Sequence, residues 1–267
     1  MSLSLHKVSA GDYWTDGGAM LGVLPRAIWG KTVHTDERHR KNLALNLLLI
    51  RAEGRVILVD TGLGNRLTDK QRDIYKPSNF LLPVSLSALG IKDEDVTDVV
   101  LTHLHFDHAG GIVTGFADRD RLTFPKARHW IQKIEWDTAK NPDGLNRAAY
   151  AFAQQLSLLE DSERLELIEG DREIAPGVTL TLTGGHTNGS QIVEIESPDG
   201  YYVYPADIVP TMFHTALAVT SAYDVCRKDT VRAKQYIYSR LKEKEGILLL
   251  NHDLNRWEVH VSELKIK

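Results

Sequence analysis

Four side chains able to bind a metal ion or move a proton fall within six residues, His103-Leu104-His105-Phe106-Asp107-His108. Imidazole nitrogen and carboxylate oxygen are the natural ligands of zinc and of similar divalent ions. The stretch directly follows Val99-Val100-Leu101-Thr102, an apolar run that reads as a buried strand. A strand that ends in three imidazoles and a carboxylate points to a metal site rather than to a solvated turn.

Other strand-like runs end the same way. Val56–Val59 is followed by Asp60, and Tyr201–Ala206 by Asp207. Val178–Thr183 passes through Gly184-Gly185 to His186, and Ile247–Leu250 leads to Asn251 and His252. Strands of a layered sheet can deliver such residues to a common edge, where loops build sites on a rigid scaffold. Leu43–Ile50 and Arg55–Val59 read as two strands joined by a turn at Glu53-Gly54. One-sided apolar stripes predict helices over Leu145–Leu159 and Thr230–Lys244, with Asp229 as N-cap of the second and Gly246 as its stop. Strands in runs with helices interspersed imply an α/β layered fold. No Pro/Gly/Ser-rich linker divides the chain, so residues 1–267 are expected to form one domain.

The chain has 267 residues, enough for a sizeable core, and a formal net charge of −4. With no long basic block, nucleic acid is not an expected partner; Glu37-Arg38-His39-Arg40-Lys41 reads as a solvated loop. Cys226 is the sole cysteine, which excludes an intrachain disulfide, and it reads as a small packing residue rather than a nucleophile. No charged segment followed by an apolar stretch opens the chain. The longest apolar run, Leu43–Ile50, is too short to span a bilayer, so a cytoplasmic protein without a membrane partner is expected.

Taken together, His103-x-His105-x-Asp107-His108, Gly185-His186-Thr187, Asp207 and His252 resemble the ligand set of the metallo-β-lactamase superfamily. The resemblance implies an αββα sandwich with metals in a cleft along one edge of the sheets. It assigns His103, His105 and His186 to one ion, Asp107, His108 and His252 to the other, and Asp207 to both. Two adjacent dications need negative ligands to offset their repulsion, which two carboxylates supply. Zinc is the expected ion, with Mn, Fe or Co as alternatives. Asp207 stands where zinc β-lactamases carry Cys, which disfavours that activity. Asp60-Thr61-Gly62-Leu63-Gly64-Asn65, Thr102–Gly111 and Ala206–Thr211 are most similar to quorum-quenching N-acyl-homoserine-lactone lactonases, and are also similar to phosphotriesterases of the methyl-parathion-hydrolase type.

The resemblance thus implies a dinuclear zinc hydrolase that opens a small-molecule lactone by attack of a metal-bridging hydroxide. The alternatives are organophosphate, phosphodiester or arylester hydrolysis on the same scaffold, and a metal-binding module without turnover. Asp107 is the candidate proton relay. Asp60 is expected to hold a ligand imidazole in its tautomer, a part open also to Asn251 and Asp253. Several such lactonases carry a Tyr shortly after the shared Asp; Ile208, Val209 and Pro210 follow it here, and Tyr223 is the candidate replacement. Gly110-Gly111 and Gly184-Gly185 are expected to let the backbone turn tightly beside the metals. Phe213 and His214 read as ordinary loop residues, and His6, His34, His39, His129 and His260 as non-ligands. Trp14, Met20, Leu21, Leu24 and Trp29 suit a pocket wall, a homodimer contact or simple packing.

Overall fold

A computed structural model describes residues 3–115, 119–144, 147–150 and 156–264. The first half of the chain forms β1 (Leu3–Asp16), β2 (Arg40–Ala52), β3 (Arg55–Val59), β4 (Asp98–Val100), the small pair β5 (Val113–Thr114) and β6 (Arg121–Leu122), then β7 (Arg128–Gln132) and β8 (Leu165–Ile168). Six of these make a sheet in the order β1-β2-β3-β4-β7-β8. The second half supplies β9 (Arg172–Ala175), β10 (Val178–Leu182), β11 (Gln191–Ser197), β12 (Gly200–Tyr204), β13 (Ile247–Leu249) and β14 (Glu258–His260), a second sheet in the order β14-β13-β12-β11-β10-β9.

Side-chain alternation explains why the sheets stack. In β2, Leu43, Leu45, Leu47 and Leu49 join one buried cluster, while Leu48, Ile50 and Ala52 join another. The first cluster lies under the helices of that side, α4 (Leu82–Ala88), α6 (Lys133–Lys140) and α7 (Ser157–Glu160). The second is shared with Val178, Leu180, Val193 and Ile195 of the facing sheet. On the far side Tyr201, Val203 and Leu248 meet Ile237 and Leu241 of α8 (Arg227–Lys244). Strands buried on both faces carry apolar residues on both, which is why β2 reads from Leu43 to Ile50 as an apolar run interrupted only by Asn46. The architecture is an αββα sandwich.

The turn between β2 and β3 is the two-residue loop Glu53-Gly54, with φ of 47° and 77°, the geometry that joins tight hairpins. Helix α8 begins three residues before Thr230, with Cys226 rather than Asp229 as N-cap. Asp229 sits instead in the first turn, where its charge complements the exposed N–H groups. The helix ends at a left-handed Glu245, just before Gly246. Of the expected helix over 145–159, residues 147–150 form a turn, and Leu156 is the N-cap of α7 (Ser157–Glu160); residues 145–146 and 151–155 lie outside the described residues. The N-terminal strand was not expected. It pairs with β2 from Leu3↔Ala52 to Asp16↔Arg40, and a bulge between Ser9 and Asp12 breaks its two-residue period. The remaining helices are α1 (Gly17–Leu21), α2 (Arg26–Trp29), α3 (Asp69–Tyr75) and α5 (Phe106–Ala109).

Candidate metal centre

Strand direction gathers the site. β3 and β4 run parallel, and β12 and β13 run parallel, while β10 shares the direction of β12 because two antiparallel pairings separate them. Their C-terminal ends therefore lie along one edge. From that edge come Asp60 after β3, His103 and His105 after β4, Asp107 and His108 in α5, His186 after β10, Asp207 after β12 and His252 after β13. Close backbone approaches hold the loops there. A Cβ on Gly111 would lie 2.2 Å from Thr61 O, and one on Gly185, whose φ is 91°, would lie 2.6 Å from Thr230 N.

The seven side chains converge in two groups, His103 with His105 and His186, and Asp107 with His108, His252 and Asp207; within each group the candidate ligand atoms lie within 4.8 Å of one another. Asp207 touches both groups. Its Oδ2 is 3.4 Å from His186 Nε2, and its Oδ1 is 3.3 Å from His108 Nε2 and 3.2 Å from His252 Nε2. Ala206, with φ of 45°, turns the backbone into the left-handed region just before it. His105 Nδ1 and His186 Nε2 are only 3.1 Å apart. Among the described residues, Nε2 of His103, His105, His108 and His252 is buried without a hydrogen-bond partner. Buried nitrogens left without partners are costly; a shared cation at each group removes that cost, and the nitrogen and oxygen donors suit zinc and its neighbours.

The other ring nitrogens are occupied. His108 Nδ1 lies 2.9 Å from Asp60 Oδ2, while Thr102 donates its amide to Asp60 Oδ1, also at 2.9 Å. His186 Nδ1 meets Asp224 Oδ1 at 2.9 Å, and His252 Nδ1 meets Ala44 O at 2.7 Å. Asn251 donates to Asp207 Oδ1 at 2.7 Å, and Asp253 accepts from the Met212 amide at 3.0 Å. Electrostatics divides the two groups. Burial pushes His105 down to about 3, with His186 adding to the effect. Burial also acts on His252, but Asp207 and Asp107 overcome it and raise the imidazole to about 9. The carboxylate group of residues therefore attracts positive charge strongly.

A cavity of about 420 Å³ opens on the cluster. Met20, Tyr75, Phe106, Ala148, Ala149, Ala222 and Val225 give it apolar walls, and Asp107, Asp207, His105 and His186 lie along it. Tyr223 lines it too, but its hydroxyl pairs with Thr15 Oγ1 at 2.9 Å. The phenol that reaches the cluster is that of Tyr13, at 2.5 Å from Asp107 Oδ2. Leu21, Trp29 and Leu24 pack with Phe213 in a small cluster of their own, and Trp14 lies under Lys76. His214 is buried between Thr211 and Met20 O, and Cys226 caps α8; neither stands in the two groups, nor do His6, His34, His39, His129 and His260. Sequence reasoning passed over Tyr13, Asp224 and the buried Glu135; each lies far along the chain from the residue it touches, and no local pattern marks it.

The model of the metallo-beta-lactamase superfamily matches residues 42–239, and the chain belongs to that superfamily. The N-acyl homoserine lactonase of Bacillus cereus is 28% identical over 167 residues, 58% of this chain and 60% of that protein. The lactonase AttM of Rhizobium radiobacter is 25% identical over 64% of each chain. The matched region thus spans about three-fifths of these relatives' length. A probable metal-dependent hydrolase from Staphylococcus aureus superposes with a TM-score of 0.91 at 29% identity, covering 98% of this chain and 93% of that one. AidC, a dizinc quorum-quenching lactonase, shares the fold with a TM-score of 0.78 at 21% identity, over 97% of this chain and 90% of its own.

Proposed function

We propose that residues 1–267 act as one catalytic domain, a dinuclear metallohydrolase with zinc as the expected ion, which opens a neutral lactone of the N-acyl-homoserine type. The observation that carries this reading is the pairing of the cluster with its cavity. Asp207 faces both ligand groups, and the cavity beside it is walled largely by apolar and aromatic side chains, with no Lys or Arg among the lining residues described. Walls of this kind suit an uncharged ester with an apolar tail, which needs no Lys or Arg to offset a charge of its own.

In this reading His103, His105 and His186 hold one ion, Asp107, His108 and His252 the other, and Asp207 serves both. When bound, the ions would supply Lewis-acid charge for a developing oxyanion and a water of lowered pKa. The chain's own residues do the rest. Phe106, Tyr75 and Met20 take the acyl chain and exclude water. His108 and Asp60, His186 and Asp224, and His252 and Ala44 O hold each ring in one tautomer. Asp107 lines the cavity and passes the proton toward the departing alkoxide, which in a lactone stays tethered.

An activity panel of lactones, paraoxon-like triesters and arylesters, with metal analysis on the same sample, tests this. Lactone turnover is expected to dominate with two ions bound. Paraoxon turnover above that of every lactone would favour a phosphotriesterase, and two ions without turnover of any ester would favour a binding module. Asp207→Ala is expected to lose metal and turnover together; full activity in that variant would remove Asp207 from the mechanism.

A further inference from the structure

Six of the seven cluster residues contact a polar group outside the cluster: Thr102 for His103, Asp60 for His108, Asp224 for His186, Ala44 O for His252, Asn251 for Asp207 and Tyr13 for Asp107. Tyr13 comes from β1, 94 residues before Asp107 in sequence. It is only 4% exposed, and its phenol donates to Asp107 Oδ2 at 2.5 Å. The same oxygen lies 3.4 Å from His252 Nε2 and 3.6 Å from His108 Nε2. The ring stands edge-on to His252 and Phe106, with centroids 5.9 Å and 6.1 Å away. The β1 bulge puts it there: the buried side chains are Val8 before the bulge and Ala10 within it, then Tyr13 and Thr15 after it. In a regular strand of the same sequence, with every residue paired in turn, Tyr13 would face the opposite side.

We propose that Tyr13 is a positioning residue for the Asp107 half of the metal centre. Its hydroxyl takes one lone pair of Oδ2 and fixes the carboxylate so that the remaining lone pairs face the point between His108 and His252. The proposal rests on the dinuclear reading above but not on any particular substrate.

Zinc binding by competition with a chromophoric chelator tests it. In Tyr13→Phe, which keeps the ring packing, one of two zinc ions is expected to bind about 10- to 100-fold more weakly, and the other as in the unmodified protein. With zinc in excess, lactone kcat is expected to fall about tenfold while KM stays within about twofold. Tyr223→Phe, which loses its bond to Thr15, should leave zinc affinity in place. In an Asp107→Ala background, Tyr13→Phe should produce no further loss of zinc affinity. Two zinc ions bound normally in Tyr13→Phe, equal losses in Tyr223→Phe, or additive losses in the double variant would each overturn the proposal. Absence of lactone turnover in the unmodified protein would sink the substrate reading and leave the zinc measurement standing.

Discussion

Four of the five imidazoles that face the centre, those of His103, His108, His186 and His252, have their other nitrogen tied to a partner outside it, and this decides how well the ring can serve as a ligand. Asp224 illustrates the point. Its Oδ1 accepts from His186 Nδ1, and its Oδ2 accepts from the Ser221 amide at 3.2 Å, so the carboxylate is itself held. Asp224→Asn keeps the shape but loses the charge that strengthens the ring as a ligand. Zinc affinity in the His103–His105–His186 group is expected to fall about 10- to 100-fold, read by chelator competition. Asp60 was legible because it ends a strand-like run. Asp224 was not: it lies in an unpatterned loop whose partner is 38 residues away.

At the scale of elements, α6 clamps two ligand-bearing loops through one buried side chain. Glu135 Oε1 accepts from the Leu104 amide and the Tyr150 hydroxyl, both at 2.9 Å. Its Oε2 accepts from Thr187 Oγ1 at 2.7 Å and the Gly189 amide at 3.2 Å. The loop carrying His103 and His105 is thereby tied to the loop carrying His186. Glu135→Ala leaves buried donors without an acceptor, and metal-free protein is expected to lose about 2–4 kcal/mol in urea unfolding. Glu135→Gln should lose less, since one oxygen still accepts. The β2–β3 hairpin and the core of α8 were readable from apolar period and turn chemistry. The first strand was not, because its bulge shifts the inward face from even to odd positions and erases the two-residue pattern.

At the scale of the molecule, the ligands come from both sheets, so bound ions would link the two halves of the sandwich. Chelation is therefore expected to lower the melting temperature, in proportion to how far metal exceeds its dissociation constant. A separate pH dependence comes from two buried imidazoles outside the centre. Burial pushes His129 down to about 4, and burial together with Lys234 does the same to His214. Both fall from the ordinary value of about 6.5, so on acidification the unfolded chain takes up these protons first. The stability they contribute is complete above pH ~6.5 and lost as pH falls toward ~4, about 3 kcal/mol for each group. Melting of the metal-free protein at graded pH should show that decline, and His129→Gln should make it shallower. Among the described residues no helix is long and apolar enough to cross a membrane.

By itself the amino-acid sequence determined the ligand types, the strands that end in them and hence the superfamily, because metal chemistry limits the residues and local periodicity marks the strands. Beyond Asp60 and Asn251, which their place beside the ligand motifs marks, only the tertiary structure decided which groups hold those ligands in place. Tyr13, Asp224 and Glu135 act across 94, 38 and up to 54 residues of chain. A hydrogen bond between distant residues leaves no period or spacing to read; it exists only once strand direction, a bulge and the stacking of two sheets have brought the partners together.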